Sequence, residues 1–146
     1  MTLSILWLVL SGCAIDRSAI RSDDHEQSYL RESADLYWDS VRWGDIERAS
    51  AFIERPEDRV LFRVRLQDRQ EMRRLTEASV LRALVIKPTQ LDEPDAEGRW
   101  RTGEVLVRTE GYTLPAQIVK TEELTQEWYR TTAGWWLYWD EADAAE

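Results

Sequence analysis

Cysteine occurs once in this chain, at position 13, and histidine once, at position 25. A single thiol closes no intramolecular disulfide, and one imidazole beside it does not make a Cys/His zinc site. Lysine is nearly missing too: only Lys87 and Lys120 break a set of bases that is otherwise all arginine. Bases are outnumbered, 19 against 28 acids, for a net charge of -9. That balance argues against a nucleic-acid partner, because affinity for a phosphate backbone needs clustered cations. No apolar run approaches the ~20 residues of a membrane-spanning helix. Gly-rich phosphate loops, serine-nucleophile elbows, zinc-ligand pairs and Ca²⁺ loops are lacking as well, so neither a cofactor nor a metal is expected.

What is present is apolar matter in a charged shell. The 146 residues are 43% hydrophobic, with eight tryptophans, and 32% charged, which suits one water-soluble domain with its own core. Charge is unevenly spread. The stretch from Arg55 to Lys87 holds nine bases and five acids, whereas the remainder carries -13. Such a bias reads either as the wet side of a helix or as a docking face for an anion.

The N-terminus is the most specific stretch. Met1 to Leu10 is a short apolar run of signal-peptide length, followed by the small residues Ser11 and Gly12 and then by the only thiol, Cys13. The order of these features matters: an acyl-transferring enzyme needs a reachable thiol, and a signal peptidase needs small side chains ahead of the cut. A buried N-terminal strand or helix with a structural cysteine is the alternative, but Ser11-Gly12 interrupts the pattern where burial should continue. Leu10-Ser11-Gly12-Cys13 resembles the lipobox of bacterial lipoproteins. The α-amino group is the only positive charge ahead of the apolar run, where that family usually places Lys or Arg. The resemblance implies cleavage between Gly12 and Cys13, lipid on the Cys13 thiol, and a durable membrane anchor built from several acyl chains. Ala14, in place of an inner-membrane-retaining Asp, implies the outer membrane, facing the periplasm.

The rest divides into a lipidated N-terminus and tether (13–24), an α+β domain (25–139) and an acidic tail (140–146). A first helix is expected from near Asp23, with Tyr29, Leu36, Tyr37 and Val41 at helical spacing and Gly44 as its stop. Asp45 caps a second helix bearing Ile46, Ala49 and Ile53, ended by Pro56. From Glu57 to Gln67 the pattern is ambiguous: Val60, Leu61 and Val64 fit a helix, while Phe62, Val64 and Leu66 alternate as in a strand. Pro56 at a first-turn position, followed by two acids, favours a third helix. Strands are expected at Ala78–Ile86, Trp100–Thr109, from about Pro115 to Arg130, and at Trp135–Trp139, with an acidic loop at Leu91–Gly98. Helices first and a strand meander after them make an α+β fold, N-terminal helices packed on a curved antiparallel sheet.

Tyr37-Trp38-Asp39-Ser40-Val41-Arg42-Trp43-Gly44-Asp45, with Ala49, Ala51 and Phe52, is similar to the opening helices of nuclear transport factor 2-like lipoproteins. Gln126-Glu127-Trp128-Tyr129-Arg130, Gly134 and Trp136-Leu137 resemble the terminal hairpin of that superfamily. The likeness implies an α+β roll, and a homodimer formed through the sheet. A hairpin symmetric about Thr131 to Gly134 places Arg130 opposite Trp135, Trp128 opposite Leu137 and Gln126 opposite Trp139. Trp128, Trp135, Leu137 and Trp139 then share one face, and Tyr129, Trp136 and Tyr138 the other. Trp128, Tyr129, Trp136 and Tyr138 are therefore the candidate interface or pocket residues, the second face being covered either by the chain itself or by a partner.

Some members of the superfamily are isomerases or dehydratases. The matching candidates here are Asp35, Asp39 and Tyr37, with Glu104 and Tyr112 from the sheet, against the plain reading of solvated acids. His25 is expected to be solvated. The leading expectation is a lipid-anchored, non-catalytic binding or interaction module that takes a protein partner, a second copy or an envelope protein, or a small apolar ligand; the rival is a lipid-anchored enzyme working in the roll.

Overall fold

The computed structural model describes residues 17–86 and 98–140, with side chains from Asp24 onward. Gly12, Cys13, most of the acidic loop and residues 141–146 of the tail lie outside the described residues.

The first helix, α1, spans Arg17–Trp43, 27 residues, and so begins ahead of the expected start near Asp23. The part of the expected tether from residue 17 to 24 is thus helical: Arg17, Ala19 and Arg21 favour helix and neither Gly nor Pro interrupts them. Leu30, Ala34, Tyr37, Trp38 and Val41 form its buried stripe. Leu36, expected on that stripe, is 39% exposed, one position off the face that Tyr37 and Val41 define. The helix stops where Gly44 takes φ of 75°, a left-handed conformation that costs glycine little. Gly44 N–H then donates to the Val41 carbonyl and Asp45 N–H to that of Ser40, closing the helix end.

Asp45 also starts α2 (Ile46–Ser50), its carboxylate accepting from the Arg48 N–H at 3.1 Å. This helix is shorter than expected, and Ile53, buried at 3%, sits in the turn that follows it. The third helix, α3 (Pro56–Met72), has Pro56 at its start and Glu57 and Asp58 in its first turn. Its buried residues are Phe62 and Leu66; Val60 and Val64, which suggested the helix from the sequence, face solvent.

Four strands follow: β1 (Arg73–Ile86), β2 (Arg101–Thr113), β3 (Ile118–Thr131) and β4 (Gly134–Leu137). They form one antiparallel sheet in the order β1-β2-β3-β4. The fold is thus α+β, three helices on an open curved antiparallel sheet, consistent with a nuclear transport factor 2-like roll. β1 starts five residues before Ala78 because no turn residue separates it from α3; Arg73 N–H still donates to the Arg69 carbonyl. Register shifts between Leu75 and Glu77 and between Val80 and Arg82 bend β1 against β2.

On β2, Gly103, Val105, Val107, Thr109 and Gly111 alternate inward. Val80, Ala83, Val105, Val107, Trp128, Trp135 and Leu137 meet the α1 stripe in the core. Two glycines mark close approaches. A Cβ on Gly103, paired with Trp128, would stand 2.5 Å from Leu30 Cδ2; one on Gly111, paired with Lys120, would stand 2.4 Å from the Arg74 carbonyl oxygen.

A candidate ligand cleft between the third helix and the third strand

β4 is short. Its pairing with β3 covers Trp128↔Leu137 to Thr131↔Gly134, and one further bond runs from Tyr138 N–H to the Glu127 carbonyl at 2.9 Å. Among the described residues no strand flanks β3 on that side from Ile118 to Gln126. α3 lies across the gap, and between helix and strand edge is a half-open cleft of about 450 Å³. Leu66 and Phe62 line it from α3, Leu124 from β3, and Leu137 and Trp139 from the end of the chain. Phe62 and Trp139 meet edge to face at 5.8 Å. Arg65 and Arg69 stand on the helical wall and Glu127 on the opposite one.

Tyr37 reaches the cleft from α1. Its ring packs edge to face on Trp38 at 5.4 Å and on Phe52 and Trp128 at 5.9 Å each. Trp38 Nε1 donates to Gln126 Oε1 at 2.8 Å, which leaves the Gln126 amide N–H₂ for the Tyr37 hydroxyl. Burial pushes the Tyr37 phenol up to about 12, against the opposing pull of the Arg69 guanidinium and the Gln126 hydrogen bond. The phenol is therefore a neutral hydrogen-bonding group at ordinary pH. A smaller cavity of about 80 Å³ shares Tyr37, Leu66, Arg69 and Leu124 and extends the cleft towards Thr109 and Arg73. Arg73 pairs there with Glu122, while its Nε is buried without a hydrogen-bond partner among the described residues.

The hairpin register agrees with expectation, with Trp128 paired with Leu137 and Tyr129 with Trp136, and the four candidate residues differ in burial. Trp128 is in the core at 1% exposure. Tyr129 is buried as well: its hydroxyl donates to Glu54 Oε2 at 2.9 Å, and Arg99 stacks over its ring at 4.5 Å. Burial and the Glu54 carboxylate both raise the Tyr129 pKa. Trp136 is half-buried and donates from Nε1 to Thr131 Oγ1 at 2.8 Å. Only Tyr138 is exposed, on the ridge between the cleft and a second hollow of about 320 Å³ that Glu54, Arg99 and Tyr129 help to line.

The acid candidates are scattered. Asp35 and Asp39 lie on the exposed side of α1, beside a shallow depression that also contains Arg31 and Ala78, whereas Tyr37 between them points inward. Partial burial raises the Asp35 pKa, with Arg31 opposing and Asp39 adding to the rise. Glu104 and Tyr112 are on the sheet face turned away from α1, and His25 is exposed on α1. Among the described residues no group of three or more His, Cys, Asp or Glu is arranged to hold a metal ion, and no helix is long and apolar enough to cross a membrane.

Sequence reasoning missed Arg65, Arg69 and Leu124. One local signal existed: Arg65 precedes Leu66 and Arg69 follows it by three positions, so both border the buried stripe of α3. No family profile, curated protein or solved structure matches the chain.

Proposed function

We propose that this chain is a lipoprotein of the bacterial envelope, processed between Gly12 and Cys13, anchored through lipid on Cys13 and directed to the outer membrane with its domain facing the periplasm. Its nuclear transport factor 2-like domain is a non-catalytic binding module that takes a ligand in the cleft between α3 and β3. The observation that carries the binding reading is the cleft itself: about 450 Å³, walled by Phe62, Leu66 and Trp139, with a polar pair, Tyr37 and Gln126, reaching its interior. Small-molecule sites are hollows of this size in which apolar walls are joined to placed polar groups, and here the two kinds of side chain share the lining. The rival, an isomerase-like or dehydratase-like enzyme, draws less support, because Asp35 and Asp39 stand on the far side of α1 from Tyr37. A homodimer or an envelope-protein contact remains part of the reading, through the outer sheet face, where Leu84 and Ile86 are exposed.

Anchoring is tested by labelling cells with a fatty-acid analogue. The Cys13→Ser chain incorporates no label and accumulates as the unprocessed precursor; labelling equal to wild type would sink the lipobox reading.

A further inference from the structure

The basic bias of the stretch beginning at Arg55 is not used uniformly. Of the four arginines within α3, Arg59 donates to the Ile53 and Glu54 carbonyls and Arg63 pairs with Glu47 at 2.7 Å. Arg55, just before the helix, pairs with Glu57 and Asp58, and Arg73, just after it, with Glu122. Arg65 and Arg69 pair with no carboxylate among the described residues, and these are the two that line the cleft. They stand one helical turn apart on the same side, a spacing at which like charges repel. The fold therefore holds two guanidinium groups together on the helical wall of the cleft, neither paired with a carboxylate and with the Glu127 charge on the wall across from them.

We propose that the cleft binds an amphiphilic carboxylate, its acid group held by Arg65 and Arg69 and its apolar body laid against Phe62, Leu66 and Trp139. Guanidinium is the side chain best matched to a carboxylate, offering parallel N–H donors in a planar fork. Glu127 on the opposite wall repels an anion, so the acid group is turned towards α3. The Tyr37 hydroxyl and the Gln126 amide are placed to meet a polar group on the ligand body. This ligand class rests on the binding reading above and makes it specific.

The test is calorimetric titration of the detergent-solubilised full chain with 4-phenylbutanoate and with its neutral isostere 4-phenylbutanamide. The acid binds about tenfold or more tightly than the amide. In the Arg65→Gln, Arg69→Gln variant the acid and the amide bind equally, whatever their absolute affinity, while the paired Lys substitutions retain part of the preference. Trp139→Ala weakens both ligands alike, and circular dichroism confirms that each variant is folded. Equal binding of acid and amide to wild type, or a preference surviving in the Gln pair, overturns the carboxylate assignment. If the two bind equally and both weaken in Trp139→Ala, the cleft remains a binding site and only its charge selectivity is refuted. If neither binds at millimolar concentration, both the ligand class and the binding reading of the cleft fail.

Discussion

At its C-terminal end, from Trp128 to Thr131, β3 is flanked by β4 and carries three buried residues of four; at its other end, from Ile118 to Glu123, every residue is exposed. The backbone ladder to β2 continues without a break through both. What differs is the company on the faces and on the free edge. Around Trp128 the strand meets α1, Phe52 and β4, so apolar burial holds it there. Around Thr121 it is held by pairing with β2 and by exposed contacts such as the Arg108–Glu123 ion pair, whose contribution in water is small. Lys120, Glu122 and Glu123 also place charge along an edge that could otherwise recruit a foreign strand. One strand thus combines a core element with an open margin, and the cleft begins where the first gives way to the second.

The strongest way to break this contrast is to truncate one apolar residue at each end. Trp128→Ala should destabilise the chain by about 3–5 kcal/mol in urea unfolding, the range for a large aromatic removed from a core. Val119→Ala should change stability by less than about 0.5 kcal/mol, as exposed substitutions do. Similar losses at the two sites would remove the distinction between them.

The buried end should also show in alkali. Tyr37 has its folded pKa raised from 10.0 to about 12, so below pH 10 its proton is bound in both states and it contributes no pH dependence. Above pH 10 the unfolded chain releases that proton first, and stability falls until about pH 12. At about 1.4 kcal/mol per pH unit the full loss is about 3 kcal/mol. Tyr37→Phe removes this component, so its urea midpoint declines less than that of wild type between pH 9 and pH 11.5. Parallel declines would show that the phenol titrates normally.

A finer comparison uses the two glycines of β2. Each change to alanine should cost about 1–3 kcal/mol by overpacking. Gly111→Ala is the more damaging, because its new methyl group meets the backbone carbonyl of Arg74, whereas that of Gly103 meets the end of the Leu30 side chain. Thermal unfolding ranks the pair, and the opposite order would mean that the sheet margin yields more readily than the core.

Much of this architecture was legible locally. The hairpin register followed from the turn ending in Gly134 and the alternation on either side of it, and Pro56 correctly resolved an ambiguous run as a helix. Boundaries without punctuation were not legible. Nothing marks the start of α1 at Arg17, and α3 passes into β1 with neither Gly nor Pro at Met72-Arg73. The grouping of Asp35, Tyr37 and Asp39 neglected helical geometry, in which residues two apart point in different directions. The cleft was hidden for another reason. In sequence Arg65 and Arg69 resemble Arg59 and Arg63, and only the placement of α2 beside one flank of α3, and of the β3 edge beside the other, gives the two pairs different surroundings.

The uninterrupted passage from α3 into β1 has a mechanical side. Arg73 N–H bonds back to Arg69, Leu114 N–H bonds to the Met72 carbonyl, and the Gln70 amide donates to the Val41 carbonyl, so that end of the helix is clamped to the sheet and to α1 together. Its other half is tied as well, Arg59 donating to the Ile53 and Glu54 carbonyls and Arg63 pairing with Glu47, so Phe62, Leu66 and Arg69 stand on a wall anchored at both ends and a guest meets their spacing ready-made.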